Sequence, residues 1–89
     1  MYNTTQIKNS IDFLNNNIAY YKTRIKEAKK IRDTMREYFE KYQLSNDTTQ
    51  WDEEIELRER DMKHDMEQLN KMKKILKKLE EVEEMMAGA

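Results

Sequence analysis

The chain has no cysteine, no proline, a single glycine (Gly88) and almost no net charge, with 17 basic residues against 18 acidic ones. Each absence excludes something. Without cysteine there are no disulfides and no thiolate metal sites, and the redox compartment leaves no mark. Without proline, and with its one glycine near the end, the sequence has nothing that breaks a helix from within. The balanced charge gives no global pull toward nucleic acid or an anionic membrane. No apolar run approaches the ~20 residues of a membrane span. The opening Met1-Tyr2-Asn3-Thr4-Thr5-Gln6 lacks the basic and apolar regions of a secretory leader, so the expected location is cytoplasmic.

What is present is charge, at 39% of residues, beside 37% hydrophobic residues. Such a mix can mean disorder, but disorder goes with proline, glycine and a large net charge. Here the remainder is rich in Glu, Lys, Arg, Met, Leu, Ile and Gln, which form helices readily. With heptad spacing that composition marks a coiled coil, and 89 residues make one small domain, 1–89.

The spacing is there. Asn3 can cap a first helix, Gln6 can reach back to close a capping box, and Tyr2 can staple onto Ile7. Apolar residues then step by four and three along Ile7, Ile11, Leu14, Ile18, Tyr21, Ile25 and Ala28. After Arg32 the pattern resumes at Met35, Phe39 and Tyr42. The repeat holds for about five heptads without a stutter, with Ile11, Ile18, Ile25, Arg32 and Phe39 at position a. A second line runs through Trp51, Ile55, Met62, Leu69, Met72, Leu76, Leu79 and Met86, interrupted by Arg58, Asp65 and Glu83.

Between the two lines, Leu44-Ser45-Asn46-Asp47 reads as a turn, because Ser, Asn and Asp compete with the helical backbone through their side chains. Asp47 with Gln50 offers a second capping pair, and Asp52, Glu53, Glu54 and Glu56 suit the positive end of a helix dipole. The expected fold is therefore all-α: an antiparallel two-helix coiled-coil hairpin, helices at 4–43 and 48–86, turn at 44–47.

Folding the chain about position 45 sets Phe39 against Trp51, Met35 against Ile55, Ala28 against Met62, Tyr21 against Leu69 and Leu14 against Leu76. It also sets the basic stretch 22–36 against the acidic stretch 54–68, which disfavours other alignments. The same register places Arg32 opposite Arg58 and Ile25 opposite Asp65, a polar interruption read as a device that fixes register. Trp51 is expected to pack on Phe39 and Tyr42 and close the tip.

A second apolar line lies beside the seam. Ile31, Tyr38, Ile75 and Val82 occupy g positions, and Phe13 and Tyr20 occupy c positions further round the helix. A lone hairpin needs only a narrow seam, so these flanks predict another surface. Pairing of two hairpins into a four-helix bundle, a homodimer with twofold symmetry, covers them most simply, and a foreign protein is the other occupant. Trp51, as an aromatic near the hinge, joins them as an interaction candidate.

Two rival chemistries have weaker support. Lys71, Lys73, Lys74, Lys77 and Lys78 form a charge block with no mirror partner, and a basic helix face is the usual footprint of nucleic-acid binding. It lacks arginine and is followed by Glu80, Glu81, Glu83 and Glu84, as in a solvated face. Asp61, His64, Asp65 and Gln68 share one helical face, but this is the chain's single histidine and no second ligand set completes a metal site. No nucleophile is paired with a base and no glycine-rich loop is present, so neither catalysis nor a cofactor is expected.

The outline is similar to that of the small secretion-associated hairpin proteins with a Trp-x-Gly turn, but Trp51 is followed by Asp52 and Glu53, so that motif is absent. The expected function is that of a non-enzymatic protein-binding module, an accessory, adaptor or inhibitor protein acting on a larger complex. Small accessory proteins of bacteria and their phages supply the analogy. Nucleic-acid binding through Lys71–Lys78 is the alternative.

Overall fold

The computed structural model describes residues 3–45 and 47–88. Tyr2 of the expected staple and Asn46 of the expected turn lie outside them. Two long helices, α1 (Thr4–Lys41) and α2 (Thr49–Ala87), pack against each other, and no strand occurs among the described residues. The expected helical hairpin is what forms.

α1 begins as its sequence dictates. The Asn3 side chain accepts the Gln6 amide at 2.8 Å, and Gln6 Oε1 accepts the Asn3 amide at 3.1 Å, a complete capping box. Its far end is less obvious. The Leu44 amide donates to the Phe39 carbonyl and the Gln43 amide to the Glu40 carbonyl, with Gln43 at φ 54°. This is a Schellman cap with glutamine in the left-handed position that glycine normally fills.

α2 starts one residue later than expected. Its cap is Thr48, whose hydroxyl does not cap the helix. Asp47 instead accepts the Thr49 amide at 3.1 Å, closing a turn before the helix. That bond and the Thr49 hydroxyl hold the Asp47 carboxyl below its ordinary value.

The heptad phase predicts burial well. Ile7, Ile18, Ile25, Ala28, Ile55 and Leu69 are buried, and the other apolar seam residues are half-buried except Tyr42 and Met86 at the two ends. Each fully buried aliphatic side chain contributes about 1.5–3 kcal/mol.

The register differs from the expected one. Ile25 and Ala28 form a cluster with Ile55, and Trp51 and Met62 pack on it. Lys29 meets Glu59, Arg32 meets Asp52, and Arg36 meets Thr48 and Asp52. Arg32–Asp52 and Arg36–Thr48 mirror about residue 42, while Lys29–Glu59 on one side of the seam mirrors about 44 and Arg24–Glu54 on the other about 39. The mirror thus lies near 42, not 45. α2 is thus displaced by about six or seven residues, roughly 10 Å of helix rise. Heptad phase repeats every seven residues and accepts either alignment, so charge can decide between them. The displacement gives Arg32 to Asp52 across the seam instead of setting the two arginines opposite each other, and Arg58 pairs with Glu54 within its own helix. It also moves Trp51 off Phe39 and Tyr42 onto the Ile25–Ala28–Ile55 cluster, and leaves Tyr42 and Met86 exposed on overhanging ends.

The rod measures 75 × 14 × 14 Å. Either helix alone spans about 57–59 Å, so the remainder is the offset plus the connecting loop. At the open end the Thr4 hydroxyl donates to the Glu83 carboxylate and ties the two helices together.

Candidate interaction surface

The two long sides of the rod are unlike. One carries positions e and b, where Lys29 Nζ lies 3.5 Å from Glu59 Oε1 and Arg36 Nη2 3.2 Å from Asp52 Oδ1. The other carries positions g and c, where Arg24 Nη2 lies 3.6 Å from Glu54 Oε1 and the remaining positions are rich in apolar groups. Phe13, Tyr20, Ile31, Tyr38, Ile75 and Val82 all fall on this second side, and all are exposed, Phe13 at 64% and Tyr38 at 54%. The helical period that buries the seam brings these six together.

Shallow grooves run along the same side. Asn9, Ser10, Phe13, Leu14, Gln68 and Met72 line one that bridges the two helices. Glu27, Lys30, Ile31, Thr34 and Met35 line another on α1. Tyr20 sits between them, edge-on to Tyr21 at 5.9 Å, with the Arg58 guanidinium 5.8 Å from its ring centroid. The Arg58 charge is reinforced by its 3.1 Å bond to Glu54, which raises its pKa despite desolvation.

Sequence reasoning missed several members of this surface. Leu57 and Met85 also occupy c positions and are exposed on the same side; the rule that picked out Phe13 and Tyr20 would have found them. At the hinge tip, Tyr38 stacks on Tyr42 at 4.7 Å, and Tyr42 and Leu44 are exposed there. Trp51, by contrast, is half-buried against the core cluster.

A polar clasp at the hinge was also missed. Arg36 donates to both Asp52 oxygens at 3.2 and 3.3 Å and to the Thr48 hydroxyl at 3.3 Å, and that hydroxyl donates to Asp52 at 3.0 Å. Thr48 is the buried polar residue of the hinge, so its hydroxyl requires these partners. Asp52 also sits in the first turn of α2, where the helix dipole favours an anion.

Mid-rod, Asp65 occupies a seam position near Tyr21. Its Oδ2 is buried with no hydrogen-bond partner among the described residues. Burial first, then the charges of Asp65 and Asp61, push the Tyr21 phenol above its ordinary pKa. Asp61 and Gln68 are half-buried beside it and His64 is exposed. No group of three or more His, Cys, Asp or Glu side chains is arranged to hold a metal ion among the described residues.

Lys71, Lys73, Lys74, Lys77 and Lys78 are all exposed, and none joins an ion pair among the described residues. No helix in those residues is long and apolar enough to cross a membrane. Comparison of the chain with protein-family models, with curated proteins and with solved structures gives no match.

Proposed function

We propose that the protein is a non-enzymatic interaction module: a helical hairpin that self-associates through its apolar side into a four-helix bundle and presents its hinge tip to a larger protein. One observation carries this reading. Nearly all the exposed large apolar side chains along the rod gather on one long side, while the other side carries charged pairs with Met66 as its exposed apolar residue. Monomers rarely leave so long an apolar stripe in water, and a rimmed stripe of this kind marks a protein interface. The tip aromatics Tyr38 and Tyr42, with Leu44, remain at the end of the rod as anchors for the larger partner, which the module scaffolds, modulates or inhibits.

Hydroxyl-radical footprinting over a concentration series tests it. The reading expects Phe13, Tyr20 and Ile31 to be oxidised in dilute solution and protected in concentrated solution, while Tyr42 stays reactive throughout. Uniform reactivity at every concentration contradicts it. A shift of DNA or RNA mobility that steepens as salt falls, and vanishes when Lys71, Lys74 and Lys78 become Glu, would replace it with the nucleic-acid reading.

A further inference from the structure

The apolar side has an internal symmetry that the hairpin itself does not require. Given the mirror near residue 42, each residue of α2 can be placed at the level of a residue of α1: Leu57 level with Glu27, Ile75 with Asn9, Val82 with the start of α1. Along the rod, Tyr20 then lies at the centre of the stripe. Phe13 and Leu57 lie about 10 Å from it on opposite sides, Ile75 and Ile31 about 16 Å, and Val82 and Tyr38 about 27 Å. Met85 aside, the stripe reads the same from either end, with Leu57 answering Phe13, Ile75 answering Ile31 and Val82 answering Tyr38.

A surface that maps onto itself by reversal is what an isologous twofold interface demands. The geometry points to a second copy of this chain as the occupant, packed antiparallel, with the twofold axis crossing the rod at Tyr20. This rests on the self-association reading and adds its direction. Reversal puts Tyr38 level with Val82 of the second copy, Ile31 with Ile75, Phe13 with Leu57, and Tyr20 with Tyr20. Two of these layers, Tyr38 with Val82 and Phe13 with Leu57, then combine a large side chain with a smaller one, as a well-packed core requires. The parallel alternative stacks Tyr38 on Tyr38 and Val82 on Val82.

Charge supports the same direction independently. The lysine run Lys71–Lys78 has no acidic partner among the described residues. Its two residues on the apolar side, Lys71 and Lys78, lie about 10–21 Å from the Tyr20 level on the open-end side, while Glu27 and Glu54 of the same side lie about 10–15 Å away on the hinge side. Antiparallel pairing brings these opposite charges to one level. Parallel pairing brings the two lysine runs to the same level, where like charges repel. Antiparallel pairing also places the two hinge tips at opposite ends of the assembly, so the dimer is a bivalent rod.

The absence of native cysteine makes the test clean. Glu37→Cys, on the exposed outer face near the hinge, takes a spin label, and electron–electron dipolar spectroscopy reads the label-to-label distance in the full chain. Antiparallel pairing predicts about 50 Å, from the rise per residue. A distance under about 30 Å, as expected for labels at one level of a four-helix bundle, overturns the direction and leaves the self-association reading intact. No dipolar coupling, together with a monomeric mass for the same labelled sample, overturns both.

Discussion

The two long sides of the rod solve one problem differently. On the e and b side, charged residues hold each other across the seam through Lys29–Glu59 and the Arg36–Asp52 clasp, and Met66 is the exposed large apolar residue there. On the g and c side, Phe13, Tyr20, Leu57 and Val82 stand in water although the same backbone could have carried charge there. The difference separates what the fold requires from what it does not. A two-helix hairpin is held by its seam and tolerates a charged flank, so apolar residues on the flank are surplus to folding. That surplus is what the proposed interface explains.

Substitutions that place charge on the seam or on either side should therefore have unequal consequences. The largest is expected at the seam: Leu69→Asp buries an unpaired carboxylate and should cost more than about 3 kcal/mol, abolishing the cooperative circular-dichroism melt. Both sides would be lost with it. On the apolar side, Phe13→Lys with Tyr20→Lys should preserve helix content, since both side chains are more than half exposed, yet prevent self-association.

Asp65→Leu sharpens the comparison from inside. It removes a buried oxygen with no partner but also the carboxylate that the Tyr21 phenol bonds. The gain in a urea melt should therefore be no more than about 1 kcal/mol. A loss of stability would show that the carboxylate is satisfied. On the charged side, Glu59→Ala should change stability by no more than about 0.5 kcal/mol, because both partners of that ion pair are about half exposed.

The smallest effect is titration of Tyr21. Its phenol holds its proton to higher pH in the folded chain than in the unfolded one. That contribution is fully present below the unfolded tyrosine value and is lost as pH rises through the raised one. Tyr21→Phe should therefore remove part of the alkaline loss of stability, read as a flatter melting-temperature profile above the ordinary tyrosine range.

Much of this architecture was legible from residues alone. The capping box at Asn3 and Gln6, the seam from Ile7 to Leu79 and the exposed flank from Phe13 to Val82 follow from local periodicity, and local periodicity survives folding. The register did not follow, for a physical reason. Seam phase is blind to a shift of one heptad. The two tie-breakers, a symmetric turn at Leu44–Asp47 and the charge blocks 22–36 and 54–68, gave the wrong alignment because blocks of fifteen residues still overlap after such a shift. The chain instead closes α1 with a Schellman cap at Gln43, a residue type that gives no signal for a left-handed conformation, and α2 begins only at Thr49. Thr48 was equally silent, since its hydroxyl serves Arg36 and Asp52 and not the helix it precedes.

The central claim is that the apolar side is an interface between copies of this chain, and sedimentation equilibrium over a wide concentration range tests it most directly. The parent should have the mass of a dimer that dissociates only on dilution, and the Phe13→Lys, Tyr20→Lys variant should be a monomer with unchanged helix content. A parent that is monomeric across the range, or a variant that associates as the parent does, would contradict the claim.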